Sequence, residues 1–210
     1  MRIIAAKVNG MIIHRVTNRI LVGRELCRDE TFIEASFKFT STLLPSAVWT
    51  NFLSFGPFRD LASRFTTLFH GTELEASIKL LQPTITARLE NRRSTSNRRP
   101  NDSIEWMIEV AESLKNPREL EPRRLAENVL HLIFAANSAP GALVTQMFYQ
   151  VLTNPEYLQP LREEIDKSTT TEGGWTSNAV EKMALLDSFV RETLRMYPPG
   201  SSKIILNILT

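Results

Sequence analysis

Apolar residues recur along most of the chain at intervals of three and four, the spacing that gathers side chains on one face of an α-helix. The first such stretch, residues 3–22, predicts a helix that stops at Gly23, and Asp29 is placed to cap a second helix. Residues 39–58 carry no charge but include Pro45 and Pro57 among hydroxyl and amide side chains. That stretch predicts a helix with a loop and not a membrane span, which needs about 18 consecutive apolar residues.

A long helix is predicted over residues 66–92 from a stripe of leucines and isoleucines, with Pro83 bending it. A polar linker, residues 91–102, follows and holds four arginines: Arg92, Arg93, Arg98 and Arg99. Such a run can bind phosphate groups, or it can be a solvated loop after the negative end of a helix dipole. No aromatic residue interleaves the arginines, so the loop interpretation is favoured.

The second half of the chain continues the helical pattern. A short helix is predicted over residues 103–114, and a long apolar one from Pro122 to about residue 152, kinked at Pro140. The next helix starts near residue 154 and ends near Lys167, before a polar loop over residues 168–174. Asp187 is expected to cap a last helix, which prolines and a glycine at 198–200 stop. Only residues 204–209 resemble a strand, so the predicted fold class is all-α, mostly helical.

Composition excludes several classes of function but does not identify one. Hydrophobic residues make up 42% of the 210 residues and the net charge is +2, values of an ordinary globular protein with no sign of nucleic acid as its partner. The single cysteine, Cys27, excludes an internal disulfide and a cysteine metal cluster, and the three histidines are too far apart in sequence to form a local ligand pair. No nucleotide-binding or hydrolase motif is present.

Two short arrangements stand out from this background. Glu192 and Arg195 are three residues apart on one predicted helix face, where a surface ion pair is the ordinary outcome. Residues 134–141 read Phe-Ala-Ala-Asn-Ser-Ala-Pro-Gly, an apolar helix that carries small and hydroxyl residues at its kink.

Together and in this order, these segments resemble the central part of a cytochrome P-450, a haem-thiolate monooxygenase, from about helix E to helix K of that family. The stretch at residues 152–165 and the run from Lys182 to Arg195 carry the likeness downstream. Residues 15–30, from Arg15 through Cys27 to Glu30, look like the signature of fungal secondary-metabolism members. The resemblance covers nearly the whole chain to about Gly200 and implies a central fragment of the P-450 fold.

The resemblance implies roles for the two arrangements. Glu192 and Arg195 match the family's structural E-x-x-R motif on helix K, which locks onto a downstream arginine-containing segment. The helix I region that activates oxygen falls on Asn137, Ser138 and Ala139, with the proton-delivering threonine replaced by Ala139. The apolar and small residues just before them are expected on the substrate or haem side: Phe134, Ala135 and Ala136.

The family's iron ligand is a cysteine in an F-x-x-G-x-x-x-C-x-G loop after helix K, and no cysteine lies there in this chain. Cys27 has a similar G-x-x-x-C spacing from Gly23. Ile20 and Asp29, however, replace the shielding phenylalanine and the close-approach glycine, and Cys27 precedes helix I. It is therefore expected to be a structural thiol. Haem belongs to intact relatives, and this chain is expected to bind none and to have no metal site.

The functional hypothesis is a truncated monooxygenase, one partial domain over residues 1–210 without the N-terminal anchor and the haem-binding loop. Intact relatives use dioxygen and reductase electrons to oxidise small hydrophobic metabolites, so a small hydrophobic substrate and a reductase are the implied partners. The chain is expected to contain no transmembrane segment and to be intracellular, whereas intact relatives are usually anchored to the endoplasmic reticulum. The alternative is an inactive helical binding remnant or a non-functional gene fragment.

Overall fold

The computed structural model describes the backbone of residues 5–52, 59–92 and 99–198, with side chains described at 5–43, 71–92 and 99–198. Within these ranges it contains helices and no strand, which confirms the all-α prediction. Two single-turn 3₁₀ helices, Pro117–Leu120 and Pro155–Tyr157, precede the sixth and seventh α-helices. The α-helices are α1 (Ala5–Leu21), α2 (Gly23–Leu26), α3 (Glu30–Phe52), α4 (Arg59–Asn91), α5 (Ser103–Ser113), α6 (Pro122–Thr153), α7 (Leu158–Thr171), α8 (Ser177–Glu181) and α9 (Ala184–Met196).

The chain divides into two compact units. The N-terminal unit is Met11–Ser138, and the C-terminal unit comprises the described residues of Met1–Gly10 and Ala139–Thr210. The N-terminal unit holds a continuous apolar core contributed by α1 to α6, whose largest fully buried side chains include Phe32, Phe39, Ile78, Leu81, Ile85, Ile104, Ile108, Leu125, Leu130 and Ile133. Burial of this apolar area supplies most of the stabilisation of that unit.

Local signals set several helix ends in the N-terminal unit as the sequence predicts. The Asp29 carboxylate accepts hydrogen bonds from the amides of Thr31 (2.9 Å) and Phe32 (3.3 Å) and so caps α3. Gly23 has φ +83°, a left-handed conformation that ends α1 at little steric cost. Pro122 is the first residue of α6, as expected of a helix-starting proline.

Three predicted boundaries are wrong. The helix expected over 66–92 begins at Arg59. The helix expected to end near Lys167 continues to Thr171, and hydroxyls of the supposed loop donate to backbone carbonyls of the preceding turn: Thr169 to Ile165 and Thr171 to Lys167. The last helix begins at Ala184, so Asp187 lies in its first turn and does not cap it.

The linker interpretation also needs correction at its ends. Arg92 is not a solvated cation: its side chain is buried and donates to Glu105 (2.6 Å) and to Glu112 on α5. Arg99 lies 3.9 Å from Glu105 as well. Residues 93–98 lie outside the described residues, as do residues 53–58 of the stretch expected to contain a loop, the stop at 199–200 and the strand-like tail at 204–209.

Candidate functional site

Helix α6 carries the segment to which the sequence assigns chemistry. The helix runs unbroken from Pro122 to Thr153 with Pro140 inside it, and a proline has no amide hydrogen to donate to the carbonyl of Ala136. Ala135 and Ala139 lie four residues apart on the helix and are both exposed, so this face of α6 presents methyl groups. Phe134 and Ala136 are half-buried and pack against the core of the N-terminal unit.

The two polar residues of the segment are both engaged. The buried amide of Asn137 donates to the carbonyl of Ile133 (2.7 Å), and its side-chain oxygen accepts from the hydroxyl of Thr17 on α1. Ser138 donates its hydroxyl to the carbonyl of Phe134 (2.8 Å). Neither side chain therefore offers a free proton donor on the exposed face of α6.

The Glu192–Arg195 pair forms on α9 as its spacing predicts. Arg195 donates from Nε to Glu192 Oε2 (2.8 Å) and from Nη2 to Oε1 (2.6 Å), the two-pronged geometry that favours an arginine–carboxylate pair. The hydrogen bond holds the pKa of Glu192 below its usual value and raises the pKa of Arg195. Both side chains remain largely in solvent, 60% and 67% exposed.

Cys27 lies one residue after α2 and is partly exposed. Its thiol donates to the carbonyl of Arg24 (3.4 Å), so the sulfur takes part in ending this short helix. In the part of the chain that the structure describes, no group of three histidines, cysteines or carboxylates could hold a metal ion.

These observations decide how far the chain fits a haem. The exposed methyl face of α6 suits one side of a flat apolar group, since it offers no charged or bulky side chain at Ala135 and Ala139. In the family a cysteine thiolate would hold the iron, and the one cysteine of this sequence, Cys27, instead donates its thiol hydrogen to the carbonyl of Arg24 (3.4 Å).

Sequence reasoning missed two polar contacts. Glu164 on α7 accepts hydrogen bonds from the amides of Leu185 (2.8 Å) and Leu186 (2.9 Å) at the start of α9. This contact joins residues more than twenty positions apart, so no local pattern could reveal it. On α1, the fully buried His14 hydrogen-bonds through Nε2 to Ser36 Oγ (2.8 Å).

The Ser36 hydroxyl is itself a donor, to the carbonyl of Phe32 (2.7 Å), so Nε2 of His14 carries the proton in their contact. Burial lowers the pKa of His14 to about 4, so the ring is neutral at pH 7. The helical spacing of apolar residues in α1 gave no sign that a histidine would face the core.

No helix in the described ranges combines the length and hydrophobicity needed to cross a membrane.

Comparison with known proteins assigns the chain to a family. Residues 13–205 match the family model for cytochrome P450. The chain is 40% identical over 194 residues to the cytochrome P450 monooxygenase sirB of Leptosphaeria maculans, an alignment that covers 92% of this chain and 37% of that protein. It is 28% identical to the monooxygenase olcJ of Penicillium canescens and 29% identical to janP of Penicillium janthinellum, with 90% of this chain aligned in each case.

The chain spans little more than a third of the length of these relatives: 37%, 36% and 37%. The match nevertheless runs through α6, with its face of small residues, and through α9, with its glutamate–arginine pair. On the family model and on the extent of the match to a relative 40% identical, this chain belongs to the cytochrome P450 family.

Proposed function

We propose that these residues form the central helical part of a haem-dependent monooxygenase of fungal secondary metabolism. Such an enzyme inserts one oxygen atom of O₂ into a small hydrophobic substrate, with electrons from a reductase. The observation that supports the proposal is the surface of α6: this helix, which by its resemblance corresponds to the family's helix I, exposes methyl groups at Ala135 and Ala139. An apolar face of this kind suits an apolar ligand.

The chain's own residues have defined parts in this proposal. Ala135 supplies a small apolar contact, and Asn137 links α6 to α1 through Thr17, which keeps the helix in place. Ser138 is the nearest hydroxyl to the position of the family's threonine, which is Ala139 here. It can deliver a proton from the exposed face only after its hydroxyl leaves the carbonyl of Phe134. In the family, the haem iron and its thiolate supply the oxygen chemistry.

The direct test is to express the product of the natural transcript in a host that supplies haem and a reductase. Reduction under carbon monoxide should give the red-shifted Soret band of a thiolate-bound haem. An apolar azole ligand should bind with a spectral shift, and Ala135→Leu should weaken that binding because the larger side chain fills the exposed face of α6. Ala6→Leu, an equal change at an exposed position of α1, should leave it unchanged.

Absence of the thiolate band from the natural gene product would refute the monooxygenase proposal. It would leave the inactive helical remnant as the better description.

A further inference from the structure

The start of α9 lacks a cap of its own. Its N-cap residue, Met183, makes no side-chain hydrogen bond to the first turn, and the Asp187 carboxylate is occupied by Arg191 Nε (2.7 Å). The first amides of a helix have no partner within the helix and need an acceptor from elsewhere. Glu164 of α7 provides it, with Oε1 on the amide of Leu185 (2.8 Å) and Oε2 on that of Leu186 (2.9 Å).

Both oxygens of one carboxylate thus bind consecutive amides. This arrangement fixes the direction of the helix as well as its distance from α7. A carboxylate at a helix N-terminus also meets the positive end of the helix dipole, so charge and hydrogen bonding act together. Glu164 is half-buried, which limits competition from water.

Two further contacts run in the same order along α7. The ring of Tyr157, just before the helix, packs against Phe189 with centroids 5.9 Å apart. After the helix, Glu172 forms an ion pair with Lys182, and the hydrogen bond lowers the pKa of Glu172. As the residue number increases along α7, the residue number of its partner on or just before α9 decreases. The two helices are therefore antiparallel, and the contact of Glu164 lies between the other two.

We propose that Glu164 is the positioning residue for α9: its carboxylate sets the start and register of the helix and so places the Glu192–Arg195 pair. The functional importance of that placement rests on the proposed function, in which the pair belongs to the family's E-x-x-R motif. The contacts at the ends of α7 join side chains, whereas Glu164 bonds to the backbone amides that define where α9 begins.

The test uses the 210-residue chain and its variants in solution NMR. In the wild-type chain, the amides of Leu185 and Leu186 should each show a scalar coupling through the hydrogen bond to the side-chain carboxyl carbon of Glu164. Glu164→Gln retains only one acceptor oxygen, so at least one of the two couplings should vanish. Glu163→Gln is the matched control, with the same charge change one residue away on an exposed side chain that accepts a hydrogen bond from Gln159 of its own helix (2.9 Å). It should leave both couplings intact.

A second measurement reads the register. In Glu164→Ala, exchange of the Leu185 and Leu186 amides with solvent should accelerate by about tenfold or more, the effect of losing a hydrogen bond to a charged acceptor. The nuclear Overhauser contacts between the Tyr157 and Phe189 rings should weaken, because α9 is no longer fixed against α7. Glu164→Asp should recover part of the protection.

Persistence of both couplings in Glu164→Gln, or unchanged exchange and ring contacts in Glu164→Ala, would overturn the proposal. Glu164→Gln keeps the test decisive if the alanine variant does not fold. These outcomes are independent of haem, so they are distinguishable from failure of the monooxygenase proposal, which is read from the carbon monoxide spectrum.

Discussion

Two arginine–carboxylate pairs of this chain each form two hydrogen bonds but have opposite surroundings, one buried and one exposed. Arg88 donates to Asp102 through both Nη atoms (2.5 and 2.8 Å) in the N-terminal unit, and the side chains are 16% and 3% exposed. Arg195 donates twice to Glu192 in the C-terminal unit, where the exposed fractions exceed one half. Removal of one partner of a buried pair leaves an uncompensated charge away from water, while solvent replaces a lost partner at the surface.

Asp102 also has tasks that Glu192 lacks. One of its oxygens accepts from the amide of Glu105 and so caps α5, and the other lies so close to Gly23 that a Cβ there would be 2.6 Å away. One carboxylate thereby joins α4, α5 and the turn after α1. The same type of ion pair therefore stabilises the fold where it is buried, at Arg88–Asp102, and lies in solvent at Glu192–Arg195.

The largest effect is expected for Asp102→Ala. It leaves Arg88 without its partner and α5 without its cap, and should lower the free energy of unfolding by about 3–5 kcal/mol. Chemical denaturation measures the loss. Asp187→Ala, which breaks an exposed pair with Arg191, is the control and should leave the midpoint unchanged within error. Equal losses in the two variants would abolish the distinction between buried and exposed pairs.

His14 is a buried ionisable group that pairs with a neutral hydroxyl, that of Ser36, and its effect on stability depends on pH. The pKa of His14 is lowered to about 4 in the folded chain by burial, from about 6.5 when unfolded. The fold therefore favours the neutral ring. Its contribution is complete above about pH 6.5 and is lost as the pH falls toward 4, by about 3 kcal/mol in total.

Denaturation midpoints at pH 7 and pH 4 measure this loss. The wild-type chain should lose about 3 kcal/mol more over that range than His14→Leu, whose core residue does not titrate. Parallel pH profiles of the two proteins would show that His14 is accessible to protons in the folded state.

Two effects act on a side chain added at Gly23: the contact with the Asp102 carboxylate and the positive φ of the backbone. A second glycine allows them to be measured separately. Gly23→Ala places a Cβ against the Asp102 carboxylate at φ +83° and should cost about 2 kcal/mol. Gly173→Ala has a similar φ, +69°, but open space around the added carbon, so it should cost less. Thermal unfolding of both variants measures the difference, and a larger loss for Gly173→Ala would show that the contact with Asp102 is unimportant.

The smallest effect is expected for Arg195→Ala. Solvent already surrounds both members of the pair, so the melting temperature of the chain should not change measurably. Calorimetry of the variant beside Lys182→Ala, at another exposed ion pair, provides the comparison. A clear drop for Arg195→Ala alone would mean that the pair carries structure within this chain.

Local signals in the sequence predicted much of the fold. Pro122 marks the start of α6 and Asp29 caps α3, since a missing amide and a short acceptor side chain act within a few residues of their own position. Asp187 carries the same type of signal and was misleading. A carboxylate from α7 caps that helix, and Asp187 pairs with Arg191.

The sequence predicted which residues belong to the candidate site better than it predicted their burial and hydrogen bonds. The spacing of Glu192 and Arg195 predicts their pair, and the order of motifs identifies the family. The burial of Arg92 depends on three glutamates of α5, and the engagement of Ser138 depends on a choice between solvent and a backbone carbonyl. Such outcomes follow from packing over long sequence separations, which a local pattern does not contain.

The central functional claim is that these residues form a helical part of a haem-thiolate enzyme without supplying its thiolate. The most direct measurement is the carbon monoxide spectrum of the 210-residue chain after reconstitution with haemin and reduction, compared with that of Cys27→Ser. We expect no thiolate-type Soret band in either protein, because Ile20 and Asp29 replace the phenylalanine and the glycine that flank the family's cysteine ligand, and the Cys27 thiol donates to the carbonyl of Arg24 (3.4 Å). A thiolate band in the wild-type chain that disappears in Cys27→Ser would contradict it.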